Sequence, residues 1–156
     1  MHSILNKIED VINDTLKGSQ RMNAHEFITH LRGNEEFSFS KDENDDKRWW
    51  VKFKDHLMCE IQFNNLPEGW SVWVYGDCIG RHDSVIDENI KEIAWASITL
   101  CVDCGAGCAP GRHKTVLGKG FDNICQSTLA FSNPKTSTLD CLKIIVSVIK
   151  EDVIRQ

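Results

Sequence analysis

The sequence is short of proline, with three in 156 residues, and has no Pro- or Ser-rich stretch, internal repeat or low-complexity segment. Nothing marks a linker between folding units, and at about 150 residues per domain the chain reads as a single domain spanning 1–156. Long apolar runs are missing too. The longest, Ile144-Ile145-Val146-Ser147-Val148-Ile149, is six residues, against the ~18–20 that a membrane-spanning helix needs. The first ten residues are amphipathic and carry acids, with no basic region leading into an apolar stretch. No secretory signal and no membrane association are therefore expected, and the expected compartment is the cytosol. Basic residues are in deficit: 18 Lys and Arg face 23 Asp and Glu, a net charge of −5. General nucleic-acid binding, which needs a cationic footprint to neutralise phosphates, is not expected. There is no Gly-x-Ser-x-Gly, His-Glu-x-x-His or paired-carboxylate arrangement, so no residue is assigned a catalytic role.

Cysteine, by contrast, is plentiful: seven, an odd number, where a reducing compartment favours thiols, metal ligands or redox groups over structural disulfides. Cys59 and Cys141 fall on apolar faces and read as buried, inert thiols. Cys101, Cys104 and Cys108 are clustered in Cys101-Val-Asp-Cys104-Gly105-Ala-Gly-Cys108-Ala-Pro110-Gly111. A Cys-x2-Cys pair lets two thiolates meet one centre across a tight turn, and Cys108 is placed to supply a third ligand. The fourth ligand is open: Cys125 first, His113 second, an exogenous ligand third. Zinc is the expected ion, structural if all four ligands are protein. No standard ferredoxin spacing is present. The competing reading is a metal-free loop whose Cys101, Cys104 or Cys108 is a redox-active thiol. Glycines and cations follow (Gly111, Arg112, His113, Lys114, Gly118, Lys119, Gly120), but no phosphate-loop run passes through them, and the local basic patch reads as a solvated loop. Asp42, Asn44 and Asp46 imitate the start of a calcium loop, but Lys47 replaces the required glycine and Phe53 the closing glutamate.

Periodicity organises the rest. Ile4, Leu5, Ile8, Val11, Ile12 and Leu16 predict a helix over 4–17 stopped by Gly18, and Ala24, Phe27, Ile28 and Leu31 one over 24–32 capped by Asn23. A short strand at 37–40 precedes a polar turn, then a meander over 49–54, 57–63 and 70–75. A helix from Asp83 or Ser84 to Trp95, a strand at 97–101, a glycine-rich loop over 101–120, a short strand at 128–131 and a helix capped by Ser137 complete the pattern. The fold class is α+β: an antiparallel β-meander packed against N-terminal, middle and C-terminal helices, with an irregular Cys/Gly-rich stretch over 101–125 as the candidate metal site.

Alternation along the meander puts Trp49, Val51, Phe53, Leu57, Cys59, Ile61, Phe63, Trp70, Val72 and Val74 on a core face. The other face carries Trp50, Lys52, Met58, Glu60, Gln62, Trp73 and Tyr75. Trp50, Met58, Glu60, Trp73 and Tyr75 together suit a small cationic or aromatic ligand, held by stacking and one carboxylate. The plainer reading is a second, smaller core with Glu60 at its rim or paired to Lys52.

Trp50-Val51-Lys52, Cys59-Glu60-Ile61-x-Phe63, Gly69-Trp70-Ser-Val-Trp-Val and the closing Leu/Ile-rich helix resemble small uncharacterised bacterial α+β domains, among them a group described as frataxin-like iron chaperones. That group lacks a cysteine loop, so iron delivery is not carried over. Cys101-x2-Cys104-Gly-x2-Cys108-x-Pro-Gly, Gly118-Lys119-x-Phe121-x3-Cys125 and Phe131-x-Asn133-Pro134 resemble the signature of a clostridial-type family of unknown function. The resemblance includes Cys125, which ranks it first as fourth ligand. The expected function is a cytosolic binding module with a structural zinc and an aromatic-lined small-ligand pocket. The alternatives are a thiol-based redox enzyme or sensor, and a plain interaction domain.

Overall fold

The computed structural model describes residues 7–65, 68–81, 86–102 and 109–155. Ile8, Ile12 and Leu16, one turn apart and fully buried, seat the first helix, α1 (Ile8–Thr15). Residues 1–6, the start of the predicted helix, lie outside the described residues. Gly18 does not stop this helix. It opens the next, α2 (Gly18–Arg32), at φ +57, after only Leu16 and Lys17 in extended backbone. Asn23 therefore lies inside α2, where the sequence had placed a cap. The corner is held by Arg21, whose guanidinium donates to Leu16 O at 2.8 Å and Asn13 O at 3.2 Å, satisfying carbonyls the end of α1 leaves free. Ala24, Phe27, Ile28 and Leu31 are the buried face of α2.

β1 (Phe37–Lys41), β2 (Arg48–Phe53), β3 (His56–Asn65) and β4 (Glu68–Tyr75) form the expected antiparallel meander. It carries one irregularity. Val51 pairs with Cys59 but Lys52 with Leu57, so Met58 has no partner across the bulge. The extra residue inverts the alternation locally. Met58 is fully buried and Leu57 is 37% exposed, correcting the assignment of Leu57 to the core. The core face is otherwise as read, from Trp49 and Val51 to Val72 and Val74.

β5 (Cys78–Ile79) follows β4 almost at once. Then come α3 (Glu88–Ala96), β6 (Ile98–Leu100), β7 (Arg112–Val116), β8 (Lys119–Ser132) and α4 (Thr136–Ile154). Asp87 caps α3 by accepting from Asn89 N at 2.7 Å, in place of the predicted Asp83 or Ser84, which lie outside the described residues. α4 begins at Thr136 rather than after a Ser137 cap, and Lys135 N donates to Thr138 Oγ1 at 2.9 Å. The larger correction concerns 101–120. Its second half is not loop but a β7–β8 hairpin, and β8 runs 14 residues where a strand of four was expected.

The chain is thus α+β, an eight-stranded sheet ordered β1-β2-β3-β4-β8-β7-β5 with β6 also on β8. α1, α2 and α4 contact the sheet through β3, β4 and β5, and α3 packs on α4. Leu139, Cys141, Leu142, Ile145, Val146 and Ile149 of α4 are buried. Among the described residues no helix is long and apolar enough to cross a membrane.

Asn133, at φ 46, ties the end of β8 to the start of β4. Its N–H donates to Trp70 O at 2.8 Å and its Oδ1 accepts from Trp70 N at 2.9 Å. A Cβ on Gly69 would lie 2.5 Å from that Oδ1, so glycine leaves the room. Asn133→Ala removes the side-chain acceptor and puts alanine in the left-handed region, a loss of about 1–3 kcal/mol. Asn133→Gly loses only the acceptor and falls between the two. Urea midpoints at constant slope check this, and an alanine variant as stable as the parent would refute it.

Candidate functional site

Ile124 pairs with both Leu100 of β6 and Arg112 of β7, and Leu129 with both Ile98 of β6 and Val74 of β4. A strand residue has one neighbour on each side. β6 therefore occupies one edge of β8, while β7 and then β4 share the other, end to end. β4 leaves this edge at Gly76–Asp77 and continues as β5 on the far side of β7, in parallel register Cys78↔Thr115. The sheet forks here, and Cys125 and Gln126 of β8 fall between the two partners.

Lys114, on β7, closes the gap. Its side chain is 3% exposed, and Nζ donates to Cys125 O, Gln126 O and Thr128 Oγ1, each at 3.0 Å. The Thr128 hydroxyl in turn donates to Gly76 O, at the point where β4 turns away. Asp77 stands over the crossing, with Oδ2 2.8 Å from Arg112 Nη2 and Oδ1 3.7 Å from Lys114 Nζ. Burial pulls the Lys114 ammonium below the usual lysine range, and the Asp77 carboxylate opposes that pull.

A cleft of about 420 Å³ opens on the fork. Tyr75, Asp77, Arg112 and Lys114 line it, with Met58 from the bulge and Asp152 from α4, and Ala109 and Pro110, at the exit of the cysteine loop, form part of its wall. Asp152 is buried and its Oδ2 accepts from Gly80 N at 2.9 Å, fastening α4 to the strand past β5. Lys114 reads in the sequence only as part of a solvated basic patch, a reading its burial corrects, and Asp152 is not singled out there. For Asp152 there was a signal: an acid in register with the buried stripe Leu142, Ile145 and Ile149.

The predicted aromatic set divides. Trp50, Glu60 and Trp73 stand in one row across β2, β3 and β4. Trp50 Nε1 donates to Asp42 Oδ2 at 3.1 Å and Trp73 Nε1 to Ser71 Oγ at 3.2 Å. Met58 and Tyr75 belong to the cleft. Glu60 is buried and joins the two halves: it accepts from Tyr75 Oη at 2.8 Å and from Gln62, and Arg48 Nε lies 3.0 Å away as an ion pair, rather than Lys52. Burial, and then the hydrogen bond to Glu60, push the Tyr75 phenol well above its ordinary range.

The cysteine set is only partly in view. Cys104 and Cys108 lie outside the described residues. Cys101 is half-buried, with its N–H on Asn123 O at 2.8 Å and its carbonyl accepting from Asn123 Nδ2 at 3.1 Å. A Cβ on Gly111 would sit 2.7 Å from Cys101 Cβ and 2.3 Å from Asn123 Oδ1, so the two ends of the loop are in contact. Cys125, two residues along β8 from Asn123, is half-buried, and Ser127 Oγ lies 3.6 Å from its Sγ. His113 is exposed. Its Nδ1 is 2.8 Å from Asp122 Oδ1, and its ring lies over Gly120, toward the β7–β8 turn. Among the described residues no group of three or more His, Cys, Asp or Glu gathers to hold a metal. Cys59 and Cys141 are fully buried, which raises both thiols, Cys141 to about 11. The basic patch disperses: Arg112 pairs with Asp77, His113 with Asp122, and Lys114 is buried.

Comparison of the chain with family models, curated proteins and solved structures finds no match.

Tyr75 is the single tyrosine of the chain, so its ionisation can be read alone. Its raised pKa means that the fold favours the neutral phenol. That contribution to stability is present below the unfolded value of about 10 and is lost as pH rises through the folded value. Phenolate absorbance of the native protein should appear only above the normal range, and stability should fall with pH from about 10 upward, a slope that Tyr75→Phe removes. Ionisation at the ordinary value would refute the Tyr75–Glu60 contact.

Proposed function

We propose that the chain is a cytosolic binding module in which a cysteine-ligated zinc braces the loop beside a small-ligand cleft. The observation that carries this reading is the closure of the cysteine loop. Cys101 and Gly111 touch at its ends against Asn123 of β8, the strand that bears Cys125, and Cys104 and Cys108 fall between those ends in the sequence. Three thiolates in such a loop and one from a rigid strand make the donor set of a closed, structural site. Cys125 is preferred over His113, whose ring leans toward Gly120 and away from the Cys101 end of the hairpin.

The ligand would enter the fork cleft rather than stack on the open row of Trp50 and Trp73. The Glu60 carboxylate is already met by Arg48, Tyr75 and Gln62, so little of its charge is left for a cationic guest. In the cleft, by contrast, Asp77, Arg112 and Tyr75 offer mixed charge and an aromatic wall beneath the loop exit. That favours a small polar molecule with an aromatic part. Cys59 and Cys141 are buried, while Cys78, Cys101 and Cys125 are the half-buried free cysteines among the described residues, so a redox role remains the second reading.

Protein purified without added metal or chelator should carry about one zinc per chain, with the clustered thiols protected from alkylation. Cys104→Ser and Cys108→Ser should each abolish it, Cys125→Ser should weaken it strongly, and His113→Asn should leave it unchanged. Metal-free protein with one fast-alkylating thiol among Cys101, Cys104 and Cys108 would overturn the zinc reading in favour of the redox one.

A further inference from the structure

Among the described residues, basic residues without an ion-pair partner collect in a hollow that adjoins the fork cleft, the two sharing Arg81 and Cys78. A second depression, of about 590 Å³, is walled by Arg81 after β5, Lys91 and Trp95 of α3, and Leu117, Gly118 and Lys119 of the β7–β8 turn, with Ile86 at one side. Arg81, Lys91 and Lys119 are the charged residues on its walls, and no carboxylate joins them among the described residues. None of the three has an ion-pair partner among the described residues, whereas Arg112 and Lys114 on the same hairpin both face Asp77. On a chain of net charge −5 this is a local inversion of sign.

The walls are also built rather than incidental. Trp95 Nε1 donates to Val116 O at 2.8 Å, which locks the indole against β7. The Lys119 ammonium stands 4.9 Å from the centre of the Trp95 ring and 5.4 Å from that of Phe121, so it is held over two aromatic faces. The turn beneath it has Leu117 at φ 49 and Gly118 at φ 85, a hairpin geometry that leucine rarely adopts. It presses the Leu117 side chain onto Gly80, where a Cβ would lie 2.9 Å from Leu117 Cδ2. Three like charges around one hollow repel one another when it is empty, and a guest with several negative charges relieves that repulsion. Trp95, Leu117 and Ile86 supply an apolar surface beside the cations.

We propose that this depression binds a small phosphorylated molecule with a planar group, of the nucleoside diphosphate class. Arg81, Lys91 and Lys119 meet the phosphates, and the planar group lies along Trp95 and Leu117. A polymer is disfavoured because the cationic surface is confined to one hollow on an acidic chain. The proposal does not depend on the cysteine loop holding a metal.

Calorimetric titration of the full chain with adenosine diphosphate, inorganic pyrophosphate and adenosine tests it. The diphosphate should bind saturably and pyrophosphate more weakly, because both present the anion, while adenosine should bind least. Lys119→Glu and Arg81→Glu, both at exposed positions, should each weaken the diphosphate by about tenfold or more. Lys52→Glu, an exposed charge reversal on β2 away from these walls, should leave it unchanged. Absence of saturable binding by both phosphates, or equal loss in all three variants, would overturn the proposal. Binding of pyrophosphate as tight as the nucleotide would overturn the role given to Trp95.

Discussion

A buried lysine ammonium holds this sheet open at the place where it must divide. β8 takes two partners in succession on one edge, and neither pairs with Cys125 or Gln126, where one ends before the next begins. Unpaired acceptors in that position would each cost about 1–3 kcal/mol. Lys114 reaches across from β7 and satisfies both, together with Thr128. Removing the ammonium from water is itself costly, and Asp77 offsets part of that from the crossing strand. The departure of β4 into β5, Tyr75 and the cleft over the fork all adjoin this one contact.

The chemistry available at the cleft is set by what the fork has already used. Lys114 has its three protons on oxygens of the protein, so it acts as a fixed positive charge rather than a free amine. Glu60 is likewise committed to Arg48, Tyr75 and Gln62. What remains facing the opening is the Asp77–Arg112 pair, Arg81, His56 and the aromatic wall of Tyr75. The cysteine loop leaves through Ala109 and Pro110 directly beside it, so bracing that loop would also fix one wall of the cleft.

Much of the fold could be read from periodicity, because helices and half-buried strands repeat their apolar residues at fixed intervals. Ile8, Ile12 and Leu16, the stripe of α4 and the alternation from Trp49 to Val74 all read directly. The misreadings have local causes. A single bulge at Met58 moved Leu57 to the other face. The glycines at 118 and 120 suggested loop, yet Gly118 makes a tight hairpin turn and Gly120 lies flat beneath the His113 ring. With β7 hidden, Lys114 read as one more exposed cation, since only the fork, a long-range feature, buries it. The aromatic residues were recognised as a face, but their division into an open row and a cleft depends on where β4 turns away, which no local pattern encodes.

Replacement of Lys114 by methionine, followed by urea unfolding, tests the central role of the fork most directly. Methionine fills similar space but donates nothing. If the ammonium is what holds the two arms, the variant should lose about 3 kcal/mol or more. Amide exchange around Cys125–Thr128 should quicken as the carbonyls turn to water. A methionine variant as stable as the parent, with unchanged exchange there, would contradict the account.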